Sequence, residues 1–151
     1  MSAAAVALSK ISGHTVLAFD FGEKYIGVAV GDTETGLANP LGMIAQASRE
    51  KRLAEIGPIV REWRPGRLLV GLPLAMDGAE REMTRRARRF ARQLEARFRL
   101  PVELADERLT SAAARETLRD SGRGAREHKH EVHALAAQII LQSYLDESAR
   151  R

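Results

Sequence analysis

Two apolar runs, Val16-Leu17-Ala18-Phe19 and Tyr25-Ile26-Gly27-Val28-Ala29-Val30, flank the polar turn Gly22-Glu23-Lys24. Both are short and rich in Val, Ile and aromatic residues, which predicts a β-hairpin from Val16 to Asp32. Gly36 to Ala45 predicts a third strand completing an antiparallel meander, and Pro40, with no N–H for a ladder, places it at an edge. Ser48 caps a predicted helix through about Trp63, with Leu53, Ile56, Ile59, Val60 and Trp63 on one face. Gly57-Pro58 predicts a kink in it and Pro65-Gly66 its end. The run Arg67-Leu68-Leu69-Val70-Gly71-Leu72-Pro73 is almost continuously apolar, as in a strand covered on both faces, so the sheet is predicted to be mixed with parallel later strands.

After a turn at Met76-Asp77-Gly78, a helix is predicted from about Ala79 to Arg99, burying Met83, Ala87, Phe90, Ala91, Leu94 and Phe98. Arg81, Arg85, Arg88 and Arg92, joined by Arg86 and Arg89, form a line of guanidinium groups suited to a phosphate backbone. With Glu80, Glu82 and Glu95 as counterions, the same stripe is equally an ordinary solvated face. Pro101 to Ala105 is another predicted strand, running into Asp106-Glu107-Arg108-Leu109-Thr110. Thr110 or Ser111 then caps a helix from Ala112 to about Arg119. Asp120 to His130 is glycine-interrupted and basic, through Arg123, Arg126 and Lys129, and predicts a mobile loop: a clamp for a nucleic-acid strand or a plain connector. A last helix is predicted from near Glu131 to about Ser148. Its inner face is Val132, Leu135, Ala136, Ile139, Ile140 and Ser143, closed by Tyr144 and Leu145, with Ala134, Ala136 and Ala137 allowing close approach to the sheet.

Asp20 is the chemical anomaly of this pattern. A carboxylate at the end of a buried strand costs several kcal/mol, roughly, unless it is paired, hydrogen-bonded or bound to a cation. The strand at Val102 also ends in acids, and ligands gather at the carboxyl ends of strands in open α/β sheets. Side chains alternate on a strand, so only one of Asp106 and Glu107 shares the face of Asp20. Glu107, with the longer reach, is the candidate; Asp106 is assigned to capping or to pairing with Arg108.

Composition narrows the partners. The 151 residues carry a net charge of +4 and no cysteine, which excludes disulfides and thiolate metal sites. His128, His130 and His133 with Glu127 and Glu131 match no established zinc spacing. No apolar stretch approaches bilayer length and residues 1–13 lack the plan of a secretory signal, so the expectation is a loose arm over 1–13, one domain over 14–151, no membrane and a cytoplasmic location. The excess of arginine favours an anionic partner.

Four stretches, Leu17 to Asp32, Leu69 to Gly78, Ala105 to Thr110 and Lys129 to Leu145, together resemble the YqgF family of RNase H-like nucleases, which includes pre-16S rRNA nucleases and Holliday junction resolvases. The resemblance implies an α/β, RNase H-like fold: a five-stranded mixed sheet, three antiparallel strands then parallel ones, flanked by helices. It also implies a metal-dependent endonuclease using Mg²⁺ or Mn²⁺ on structured nucleic acid, with pre-rRNA favoured over branched DNA, acting as a monomer or homodimer. The family's catalytic and metal-binding positions fall on Asp20, Glu107 and His133, where the third is an Asp in the family. An imidazole suits Mg²⁺ less well than Mn²⁺ or Zn²⁺, but serves as a ligand or a general base. Glu131 and Glu127 are the neighbouring acids that stand as alternatives. The basic residues assigned to nucleic acid are Arg81, Arg85, Arg88, Arg92, Arg108, Arg123, Arg126 and Lys129. Two other classes are open: a nucleic-acid-binding protein whose catalysis went with the third acid, and a nucleotide-binding module, because Asp20-Phe21-Gly22 also resembles the phosphate loops of actin-like ATPases.

Overall fold

The computed structural model describes residues 14–107 and 125–150, with the side chains of the last helix from residue 132 onward. The opening hairpin forms as its pattern predicts: β1 (Thr15–Phe21) and β2 (Tyr25–Asp32) pair antiparallel, with Phe21 opposite Ile26 and Thr15 opposite Asp32. The third strand, β3 (Leu37–Ala45), lies at an edge against β2, and its ladder slips by one residue between Val28 and Ala29, opposite Pro40. Helix α1 (Arg49–Trp63) starts at Ser48, whose Oγ accepts from the Lys51 N–H at 3.3 Å. Pro58 lies within α1 without dividing it, because Gly57 has no Cβ to meet the proline ring. Strand β4 (Arg67–Leu72) returns parallel to β1, helix α2 (Glu82–Phe98) follows, and β5 (Val102–Asp106) adds parallel to β4. Helix α3 (Ala125–Ala149) closes the chain. The sheet order is β3-β2-β1-β4-β5, a five-stranded mixed sheet with helices on both faces.

The two faces differ in side-chain size. Leu17, Phe19, Phe21, Ile26, Val28 and Val70 pack under α1 and α2, where Phe90 meets Phe19 edge-on at 5.8 Å and Phe21 at 4.9 Å between ring centroids. The other face carries Val16, Ala18, Ala29 and Leu69 against Ala137, Ile140, Leu141 and Leu145 of α3. Glycines complete it. A Cβ on Gly27 would lie 1.9 Å from the His133 carbonyl oxygen, and one on Gly31 would lie 2.9 Å from Leu141. Helix α3 also closes the free edge of β3: Gln142 accepts from the Ala38 N–H at 3.0 Å, and Gln138 and Gln142 donate to the carbonyls of Ala38 and Gly36. Exposed edge groups of this kind are otherwise templates for another strand.

Four expectations are corrected. Helix α2 begins at Glu82 rather than Ala79, because Leu74 and Glu80 bridge antiparallel around a turn in which Gly78 takes φ 86°. Thr84, absent from the predicted buried stripe, is fully buried; its hydroxyl donates to the Pro73 carbonyl and accepts from the Arg81 N–H. Helix α3 begins at Ala125, so residues 125–130, expected in a loop, are helical; beyond Gly124 the segment contains no glycine or proline to break a helix. Its inner face is partly turned from the one predicted: Ala136, Ile140 and Leu145 are buried as expected, but Ala134, Ala137 and Leu141 join them and Ser143 is exposed, because the helix backbone at His133 rests on Gly27 while Leu141 and Leu145 fill the space over Gly31. The arm at 1–13 and the helix expected from Ala112 lie outside the described residues. Among the described residues no helix is long and apolar enough to cross a membrane.

Replacing Gly27 with Ala forces a side chain into the α3 backbone, which cannot yield as a side-chain tip can. Overpacking costs about 1–3 kcal/mol in ordinary cores, and the upper end or more is expected for Gly27→Ala from its urea midpoint. A midpoint equal to that of the unmodified protein would show that α3 does not cross β2 at this distance.

Candidate active site

Asp20 is the sixth residue of β1 and sits on the small-residue face, in register with Gly27 of β2 on one side and Gly71 of β4 on the other. A carboxylate in that position has no side chain beside it on either neighbouring strand. Glu107 follows β5 directly, and its N–H donates to the Leu72 carbonyl at 3.3 Å, extending the parallel pairing by one residue. That puts its side chain on the same face as Gly71 and Ala105, above Gly71, where a Cβ would come within 2.5 Å of Glu107 Oε2. Asp106 points the other way and is exposed. The alternation argument that separates the adjacent acids matches this placement.

The two carboxyl groups meet. Asp20 and Glu107 are each 7% exposed, and they share a hydrogen bond. Glu107 Oε2 is buried with no hydrogen-bond partner. Burial, then the hydrogen bond and charge of Asp20, then the charge of Asp106, push the Glu107 carboxyl up to about 10. Glu107 therefore keeps its proton at neutral pH in the free protein, because neighbouring buried carboxylates do not both ionise cheaply.

His133 is brought to the edge of this pair and not into it. Its backbone carbonyl presses on Gly27, and its ring lies 5.2 Å from that of Tyr25, with Cε1 close to Gly22 in the turn after Asp20. Among the described residues no three His, Cys, Asp or Glu side chains group so as to hold a metal ion. Gly71 is the participant that the sequence pattern passes over; its signal is a glycine interrupting an otherwise apolar central strand.

The arginine stripe lies elsewhere. Helix α2 packs on the large-residue face, opposite the carboxyl pair. Arg85 pairs with Glu82 at 3.0 Å, and Arg88 grips Glu80 with Nε at 2.7 Å and Nη2 at 3.3 Å. Arg81 and Arg92 are exposed. Arg126 and Lys129 fall on the backbone of the first turns of α3, while Arg108 and Arg123 lie outside the described residues.

A sheet of this order, helices on both faces and acids at the carboxyl ends of its first and last strands, defines the RNase H-like class. RuvC of Thermus thermophilus in complex with a Holliday junction substrate superposes with a TM-score of 0.56 at 16% identity, over 89% of this chain and 96% of that one. The chain belongs to the RuvX family, whose model, described as Holliday junction resolvase, matches residues 14–147, in agreement with the YqgF resemblance. Proteins named "Putative pre-16S rRNA nuclease" from Methylobacillus flagellatus and Dechloromonas aromatica are 51% and 52% identical, each over 87% of this chain and 90% of theirs. Membership places the chain among hydrolases of ester bonds.

The raised carboxyl has a thermodynamic sign. Above about pH 4.5 the unfolded chain gives up this proton while the folded chain keeps it, so folding takes up a proton and stability falls as pH rises toward about 10. Urea midpoints from pH 5 to pH 9, in chelator, should fall more steeply for the unmodified protein than for Glu107→Gln. Parallel profiles would mean that Glu107 is not held protonated.

Proposed function

We propose that this chain is a metal-dependent endonuclease whose substrate is the 5′ end of the 16S rRNA precursor. The observation that carries the reading is the buried Asp20–Glu107 pair at the carboxyl ends of β1 and β5, with Glu107 Oε2 left without a partner. Two hard carboxyl donors, with Oε2 of Glu107 left without a hydrogen bond, fit Mg²⁺ or Mn²⁺. Asp20 and Glu107 would hold the cation, which when bound neutralises phosphoryl oxygens and lowers the pKa of a bound water. Names carried by relatives about half identical in sequence support pre-rRNA over branched DNA as substrate.

The rest of the site is the work of the chain itself. The ladders to Gly27 and Gly71 fix Asp20 on a rigid strand, and the absence of two side chains keeps its flanks clear. Glu107 holds a proton in the free protein, and a cation held by the pair would take the place of that proton. Helix α3, seated on Gly27 at His133, closes one side of the pair against water. His133 stands beside the turn after Asp20, where a neutral imidazole is able to accept a proton.

Cleavage of a labelled 16S precursor fragment and of a four-way DNA junction, with Mg²⁺, Mn²⁺ or chelator, tests this directly. Asp20→Asn is expected to lose about a hundredfold or more of the metal-dependent rate, since it removes a charge worth several kcal/mol at such a centre. Undiminished cutting by Asp20→Asn would remove the carboxyl pair from the chemistry. Preference for the junction would shift the substrate to branched DNA, and binding without cutting under every metal would favour a protein that holds nucleic acid only.

His133→Asp is expected to raise the Mg²⁺-supported rate, because a third hard donor favours that ion over an imidazole. A fall would assign His133 to proton acceptance rather than to a ligand position.

A further inference from the structure

The arginines of this chain divide by what neutralises them. Arg85 and Arg88, the middle of the α2 stripe, each carry a glutamate. Arg49 and Arg52 of α1 and Arg86 and Arg89 of α2 carry none: among the described residues no carboxylate forms an ion pair with them. Arg52 is instead held by neutral acceptors. Its Nη1 donates to Gln46 Oε1 at 3.0 Å and to the Ala47 carbonyl at 3.3 Å, Nη2 donates to Gln93 Oε1 at 3.2 Å, and Nε is buried with no partner. The Arg52 guanidinium lies over the rings of Phe21 and Phe90 at 5.7 and 5.8 Å, and that of Arg86 lies over Phe21 at 5.8 Å.

Such a cluster is costly by itself. Burial, with the charges of Arg86 and Arg49, lowers the Arg52 pKa from its ordinary value. Arg49 and Lys51 also occupy the first turn of α1, the end of a helix that favours anions and disfavours cations. Dispersed surface charge needs no such crowding; a bound anion offsets all three penalties together. Gln93, which holds Arg52, also lines a groove of about 530 Å³ between α1 and α2, with Arg49, Arg89, Arg92 and Arg97 in its walls and Glu50 as its one acid. The cluster backs onto the candidate active site. Phe21 follows Asp20 on β1, and Gln46 donates to the Gly22 carbonyl at 2.8 Å, in the turn just beyond.

We propose that the α1–α2 groove, with the Arg52–Arg86 pair at its head, is a second nucleic-acid contact that binds backbone phosphates on the face of the sheet opposite the carboxyl pair. The proposal rests on the nuclease reading above and extends it: the substrate passes over the end of β1, with phosphates held on one face and the scissile bond on the other. Arg52, its donors largely taken up within the fold, sets the charge of the site, while Arg49, Arg86 and Arg89 reach the phosphates.

The test is the salt dependence of binding of a labelled 16S precursor fragment, measured in chelator so that no cutting intervenes. Arg49→Gln with Arg89→Gln is compared with Arg85→Gln with Arg88→Gln, two double variants of equal net charge. The first is expected to reduce the slope of log K against log salt by about two and to weaken binding about tenfold near physiological salt; the second should reduce the slope by less than one. Arg49→Lys with Arg89→Lys should keep the slope, since an ammonium also neutralises a phosphate. Removing Arg49 from a helix N-terminus does not weaken α1, so thermal midpoints should hold and loss of binding is not loss of fold. Equal slopes for the two Gln variants would reduce the groove to general charge and overturn the proposal. Displacement of the RNA by a mononucleotide, phosphate for phosphate, would make it a small-anion pocket and overturn it too. If the unmodified protein binds no nucleic acid, the nuclease reading falls as well, whereas normal binding that ignores the groove defeats this inference alone.

Discussion

Two carboxyl groups buried against one another are the constraint around which this molecule is arranged. Asp20 and Glu107 are hydrogen-bonded in a place where neither reaches water freely, burial and the charge of Asp20 raise the Glu107 carboxyl, and the fold accepts that unfavourable contact. The strand positions beside Asp20 are small. Gly27 and Gly71 flank Asp20, Glu107 lies over Gly71, and α3 descends until its backbone rests on Gly27. An alanine at Gly27 or Gly71 would collide with the helix or with Glu107, so the pair and the close helix are one design.

The opposite face supplies what the small face gives up. Phe19, Phe21 and Phe90 interlock beneath α1 and α2, and buried aromatic and aliphatic side chains of this size stabilise by about 1.5–3 kcal/mol each. Stability is therefore concentrated where the sheet has bulk, and the carboxyl pair sits where it has space. The division lies within a single strand: Phe19 and Phe21 face one way and Asp20 the other, so alternation along three residues assigns each side of the sheet its task.

Much of this was legible in the chain because it is local. Alternating apolar runs mark the hairpin, Pro40 marks an edge strand, the apolar run at Leu68 marks a strand buried on both sides, and strand alternation chooses Glu107 over Asp106. What was not legible depends on distances between elements. The inner face of α3 follows from glycines a hundred residues earlier, which let the backbone at His133 and the side chain of Leu141 approach the sheet, where helical periodicity alone selects Ile139 and Ser143. Its early start was hidden because a charged, histidine-rich segment reads as a loop, although nothing in 125–130 opposes a helix. The arginine stripe was legible as a row of charges but not as a set of pairs, since only the fold shows that Glu80 reaches Arg88 from eight positions away.

That last point changes how the charge of the protein is to be weighed. A cation already holding a carboxylate gives a phosphate little, because the new contact must first compete with the old one and its desolvation. A guanidinium braced by Gln46 and Gln93 keeps its whole charge and loses little freedom when an anion arrives, so fewer such groups outweigh a longer paired row. The same logic governs both ends of β1. On one side burial and neighbouring acids push the Glu107 carboxyl up to about 10; on the other, burial and neighbouring arginines lower the Arg52 pKa from its ordinary value. Phe21 and Asp20, adjacent in the chain, place the two crowded groups back to back, one on each face of the sheet.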